Sequence, residues 1–97
     1  MKLYSDIDLT KEVKTLDFGI VLAGDTKKIE YYLYNDALAD VVELEPSVEQ
    51  KDVTVVAYPQ ELKSHGKASI IVSWTPAITL KQGLKAQLNL KFYELYE

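Results

Sequence analysis

The chain has 97 residues, 47% of them apolar and 27% charged, which suits one folded domain over residues 1–97 and excludes intrinsic disorder. Fifteen acidic residues against eleven basic ones, all of the latter Lys, give a net charge of −4; without Arg forks, nucleic acid is not an expected partner. The absence of Cys excludes a disulfide scaffold, a thiolate metal site and a cysteine nucleophile.

The first residues, Met1-Lys2-Leu3-Tyr4-Ser5-Asp6, reach charge at once and hold no apolar signal-peptide core. No secretory signal is expected, and a cytoplasmic or virion location is. No apolar run is long enough to cross a membrane as a helix, so no membrane partner is expected. Leu3, Ile7 and Leu9 fit a weak edge strand. Leu16 and Phe18 begin a second strand, Gly19 is placed to bulge it, and Val21 follows. Gly24-Asp25 marks a turn. Ile29, Tyr31 and Leu33 then alternate with Glu30, Tyr32 and Tyr34, which is the strand period of two. Asn35-Asp36 opens the next connection.

Val42 and Leu44 are expected to face inward, against Val41, Glu43 and Glu45. Val41-Val42 argues against a helix over residues 38–44. Pro46-Ser47 is expected to break that segment. Val53, Val55 and Ala57 alternate with Thr54, Val56 and Tyr58. Pro59 and Ser64-His65-Gly66 bracket a long crossing loop. Ala68, Ile70, Val72 and Trp74 form an inward row, with Trp74 closing one end of the core. Pro76 and Gly83 bracket the last loop. Five alternations follow: Leu84, Ala86, Leu88, Leu90 and Phe92 inward, their neighbours outward. Seven to eight short strands separated by turn signals predict an all-β, antiparallel β-sandwich.

The run Leu16-Asp17-Phe18-Gly19-Ile20-Val21, with Gly24 shortly after, resembles the opening motif of one branch of immunoglobulin-like domains. This is the ASH/Hydin-like and major-sperm-protein-like branch. Asn35 at a strand end, Pro59 to Gly66 with Leu62 between, and Ile70, Val72, Trp74 and Pro76 follow in that family's order. The similarity spans residues 16–92. It implies an immunoglobulin-like β-sandwich used for structure and docking, with no shared active site. Asp36-Ala37-Leu38-Ala39-Asp40 departs from the Thr-Gly turn common in that family.

Residues that carry chemistry are few. His65 is the single histidine, with Ser64 beside it, and a catalytic triad would also need an orienting carboxylate. Asp6/Asp8 and Glu43/Glu45 have strand spacing, which puts two carboxylates on one side. Asp36 and Asp40 flank a short loop and are weak candidates for calcium. A solvent-facing strand side is the favoured reading of these acids. Neither a cofactor nor a metal site is expected. Residues 36–61 sum to −6 and residues 62–97 to +3, which reads first as a solvated acidic flank and, as the sharper alternative, as a dipolar surface that orients a charged partner or stacks copies head to tail.

Seven of the ten aromatic residues are Tyr. Outward Tyr side chains are rigid, amphipathic contacts common at protein interfaces. Tyr32, Tyr34, Tyr93, Leu95 and Tyr96 are therefore the candidate protein contacts. The leading expectation is a non-enzymatic structural protein, self-assembling or docking by a sheet face or edge into a larger assembly. A phage or virus accessory virion protein, such as a capsid decoration or tail component, fits that description. The alternative is a cytoplasmic adaptor or chaperone-like module that binds a protein partner by β-strand addition.

Overall fold

Alternating burial builds the core. In the computed structural model, which describes residues 1–96, the inward rows read from the sequence supply most of the buried side chains: Leu16, Phe18, Tyr31, Leu33, Ile70, Val72, Trp74, Leu84 and Ala86. The fold is all-β, with eight strands in antiparallel sheets. They are β1 (Lys2–Tyr4), β2 (Leu16–Gly19), β3 (Lys27–Tyr34), β4 (Asp40–Val48), β5 (Val53–Ala57), β6 (Lys67–Trp74), β7 (Leu84–Ala86) and β8 (Leu88–Leu95). One sheet has four strands in the order β1-β3-β6-β5, and two smaller ladders join β2 to β7 and β4 to β8. The arrangement is sandwich-like. Phe18 and Trp74 meet in the core with ring centroids 5.7 Å apart, which places Trp74 at the end of its row as expected. No helix is long and apolar enough to cross a membrane among the described residues.

Four local expectations are corrected. The front edge strand stops at Tyr4 instead of running on to Leu9. The Asp6 carboxylate accepts from the Thr10 hydroxyl and from the Thr10 and Lys11 N–H groups, folding this stretch into turns and leaving Ile7 exposed.

Pro46 does not break its segment, because β4 continues through it to Val48. Proline lacks a ladder donor. It is accommodated past Leu44, beyond the backbone bonds that Val41 and Leu44 make to Leu62 and Gln60 on the side away from β8.

Val41, not Val42, is the buried residue of its pair. The ladder sets Val42 against Tyr93 and Glu45 against Lys91, so Glu43 and Leu44 together face Phe92. That is a β-bulge, and it shifts the alternation by one residue. Glu43 takes it up with a left-handed φ of 53°.

Finally, the long C-terminal alternation is two strands rather than one. β7 pairs with β2, and β8 pairs with β4. The expected bulge at Gly19 is present, as a register shift between Asp17 and Gly19.

The crossing segment between Pro59 and Gly66 is anchored by one buried polar side chain. The Asn35 amide donates to the carbonyls of Ala39 at 2.9 Å and Leu62 at 3.0 Å, and its oxygen accepts from the Ala37 N–H at 3.0 Å. Burial of Asn35 is complete and its side chain is paired on both ends, as a buried amide requires.

Candidate docking edge

In β8, Leu88, Leu90 and Phe92 are half-buried, whereas Leu84 and Ala86 of the same inward row are buried. The difference follows from the neighbours. β7 has β2 beside it, but β8 has β4 along one edge and no ladder along the other among the described residues. Inward side chains beside an open edge are covered from one side only. The groove there is small, and Met1, Leu3, Val13, Leu88 and Leu90 contribute to its walls.

The two edges of the four-stranded sheet are blunted. β1 is three residues long, and its outer side is taken by the Tyr4–Glu12 bridge and by the Val13 N–H bonded to the Leu3 carbonyl at 2.9 Å. β5 is five residues long and carries a bulge between Val55 and Ala57. Short strands and bulges are the usual means of stopping unwanted strand pairing. β8 spans eight residues without proline, and the extra residue of its ladder's bulge lies on β4, opposite Phe92. One outward Lys91 is its only basic residue.

The five candidate contacts do not form one surface. Tyr32 and Tyr34 lie on β3, with β1 and β6 on either side, and both are half-buried. The Tyr32 hydroxyl donates to the Glu30 carboxylate at 2.7 Å, and the Tyr34 ring tilts against His65 at 6.4 Å. Ionising Tyr32 beside that carboxylate is unfavourable, so its phenol stands above the ordinary range. Tyr93, Leu95 and Tyr96 lie on β8 and just past it, and are 59%, 57% and 70% exposed. Leu38, 87% exposed, lines a shallow hollow with Asp40, Leu95 and Tyr96. The Tyr96 hydroxyl donates to Glu94, which raises that phenol in the same way.

Leu38 has no periodic signal in the sequence, because it sits in a loop. A second feature is likewise hidden from local reading. Glu43, Glu45, Tyr58, Glu61, Lys91 and Tyr93 line a groove of about 470 Å³. Three separate segments supply these residues, so no local spacing marks them.

Ser64, His65, Asp6, Asp36 and Asp40 have local structural partners. Ser64 Oγ donates to the Ala37 carbonyl at 2.6 Å and lies 3.1 Å from His65 Nδ1. Its proton is thereby directed at a carbonyl rather than at a base, the reverse of what nucleophile activation needs. Asp36 Oδ1 accepts from the Met1 amino group at 3.0 Å. Asp40 accepts from the Ser64 N–H at 2.9 Å and lies 3.4 Å from Lys63 Nζ. Those bonds hold Asp36 and Asp40 below the ordinary carboxylate range, and the Thr10 hydroxyl does the same for Asp6. Asp6 and Asp8 lie in turns rather than on one strand side, and the β4 bulge falls between Val42 and Glu45. Among the described residues, no group of three or more His, Asp and Glu is placed to hold a metal ion.

No protein-family model, no curated protein and no solved structure matches the chain.

Proposed function

We propose that this chain is a non-enzymatic assembly module that takes a protein partner along the open edge of β8. The carrying observation is that edge: eight residues of regular strand, paired on one side only, above a half-covered apolar row. Strand addition supplies main-chain hydrogen bonds, and alternate side chains supply selectivity. Leu95, Tyr96 and Leu38 extend the contact as exposed apolar groups at one end. The resemblance to immunoglobulin-like docking modules supports the same reading. A particle built from many copies, including a virion, is one kind of assembly that uses such a module.

The test is cross-linking mass spectrometry on the protein isolated from its native source. The proposal expects a partner at fixed stoichiometry, cross-linked through residues 89–96. A fixed partner cross-linked instead to β5, or to the Tyr32 and Tyr34 face of β3, contradicts it.

A further inference from the structure

The open edge has limits that the fold itself sets. β2 occupies the strand beside Leu84–Ala86, and the residues leading into it, Glu12–Lys14, line a groove with Gln87, Leu88 and Leu90. Beyond Leu88 the edge from Asn89 to Leu95 carries no second ladder among the described residues, and its midpoint is Phe92. An incoming antiparallel strand that uses all of this length pairs symmetrically about Phe92.

β8 itself meets that requirement. In an antiparallel pair, residues directly opposite each other share a face. Two copies of β8 related by a two-fold axis through Phe92 would set Phe92 against Phe92 on the inner face. On the outer face Lys91 would lie against Tyr93 twice, an ammonium over an aromatic ring. Leu90 would meet Glu94, and Asn89 would meet Leu95. No like charges stand directly opposite in this register. Within each copy Glu45 already sits across the ladder from Lys91, which offsets the two lysines where they lie on the diagonal.

Neighbouring registers fail on charge, contacts or space. Centring on Lys91 opposes two ammonium groups, and centring on Glu94 opposes two carboxylates. Centring on Tyr93 sets Glu94 against Phe92, as the Phe92 register sets it against Leu90, but it also sets Lys91 against Leu95 and so loses both ammonium–ring contacts. Centring on Leu90 drives the partner's Glu94 into the place of β2 beside Ala86.

We propose that the open edge of β8 receives the β8 of a second copy, antiparallel, about a two-fold axis through Phe92. The occupant named here rests on the reading of this edge as the docking surface. The resulting four-strand order is β4-β8-β8-β4, with the same patch on both subunits. One strand pair is a small interface, so the dissociation constant is expected on the order of 10–100 μM.

The chain holds no native Cys, so introduced thiols report without background. Lys91 and Tyr93 are exposed, and Lys91→Cys and Tyr93→Cys are expected to fold normally. Directly opposite positions satisfy disulfide geometry, whereas diagonal ones at about 7–8 Å do not. Mixing the two variants under mild oxidation is expected to give mixed dimer about tenfold faster than either variant gives its own. Sedimentation of the unsubstituted chain is expected to show a concentration-dependent dimer. Equal rates in all three mixtures overturn the register. A monomer up to about 1 mM overturns the second-copy occupant. In that case, edge amides that still exchange freely leave the docking surface intact for another protein strand. Edge amides already protected in the monomer overturn the docking surface as well.

Discussion

The side-chain amide of Asn35 lies 3.0 Å from the carbonyl of Leu62, tying the end of β3 to the crossing segment 27 residues later. The same nitrogen reaches Ala39, and the backbone of Asn35 bonds to Gly66 and His65. One residue thus joins three stretches of chain around β4. The Leu62 backbone in turn bonds Val41 in both directions at 2.9 Å. Asn35 therefore fixes the position of β4, on which β8 depends for its single ladder.

Asn35→Ala is expected to cost about 3 kcal/mol, because it removes the side-chain partners of the Ala39 carbonyl and the Ala37 N–H and takes one of two donors from the Leu62 carbonyl. Asn35→Asp is expected to cost more, since its carboxylate would face both carbonyls. Urea denaturation is the measurement, with a lower midpoint and an unchanged slope expected. A loss under 1 kcal/mol would show that water replaces the amide easily.

Gly83 and Gly19 separate two costs. Both have left-handed φ angles, 74° and 65°, which penalise any L side chain. At Gly83 an added Cβ would also come within 2.7 Å of the Gly19 carbonyl oxygen, whereas at Gly19 it would meet nothing within 4 Å. Gly19→Ala is expected to cost about 1–2 kcal/mol, and Gly83→Ala at least about 1 kcal/mol more. Equal losses, measured by thermal and urea denaturation, would mean that β2 and β7 move apart freely.

Acid stability follows from Asp6 and Asp40. The Thr10 hydroxyl and nearby N–H groups lower Asp6, and the Ser64 N–H with Lys63 lowers Asp40. A folded-state pKa below the unfolded value means that the unfolded chain binds protons more readily. The contribution is complete above the unfolded value, about 3.9, and is lost as pH falls through the depressed one. The urea midpoint is expected to hold from pH 7 to about 5 and to fall below about 4. In Asp40→Asn the acid decline is expected to be shallower. A midpoint already dropping between pH 7 and 5 would assign the sensitivity to other groups.

Strand existence was legible in the sequence wherever the period of two was backed by a buried row, as in Ile70, Val72 and Trp74. Partner choice was not. Leu84 to Phe92 alternates without a break, yet Ala86 and Leu88 belong to different ladders, because side-chain period records the face and not the neighbour. The bulge at Glu43 left no mark either, since glycine would have been the usual signal and a glutamate holds the left-handed angle. Ile7 and Leu9 mimicked a strand that the Asp6 carboxylate folds away. Tyr93, Leu95 and Tyr96 were visible as exposed candidates, but the open edge that gives them a role depends on long-range pairing.

Hydrogen exchange resolved to single amides along residues 89–95 tests the open edge most directly. In a strand, successive N–H groups point to opposite edges. At high dilution, slow amides bonded to β4 are expected to alternate with fast ones facing outward, and the fast set is expected to gain protection as partner or chain concentration rises. Uniform slow exchange at the highest dilution would mean that the edge is already covered, and would contradict the proposed docking surface.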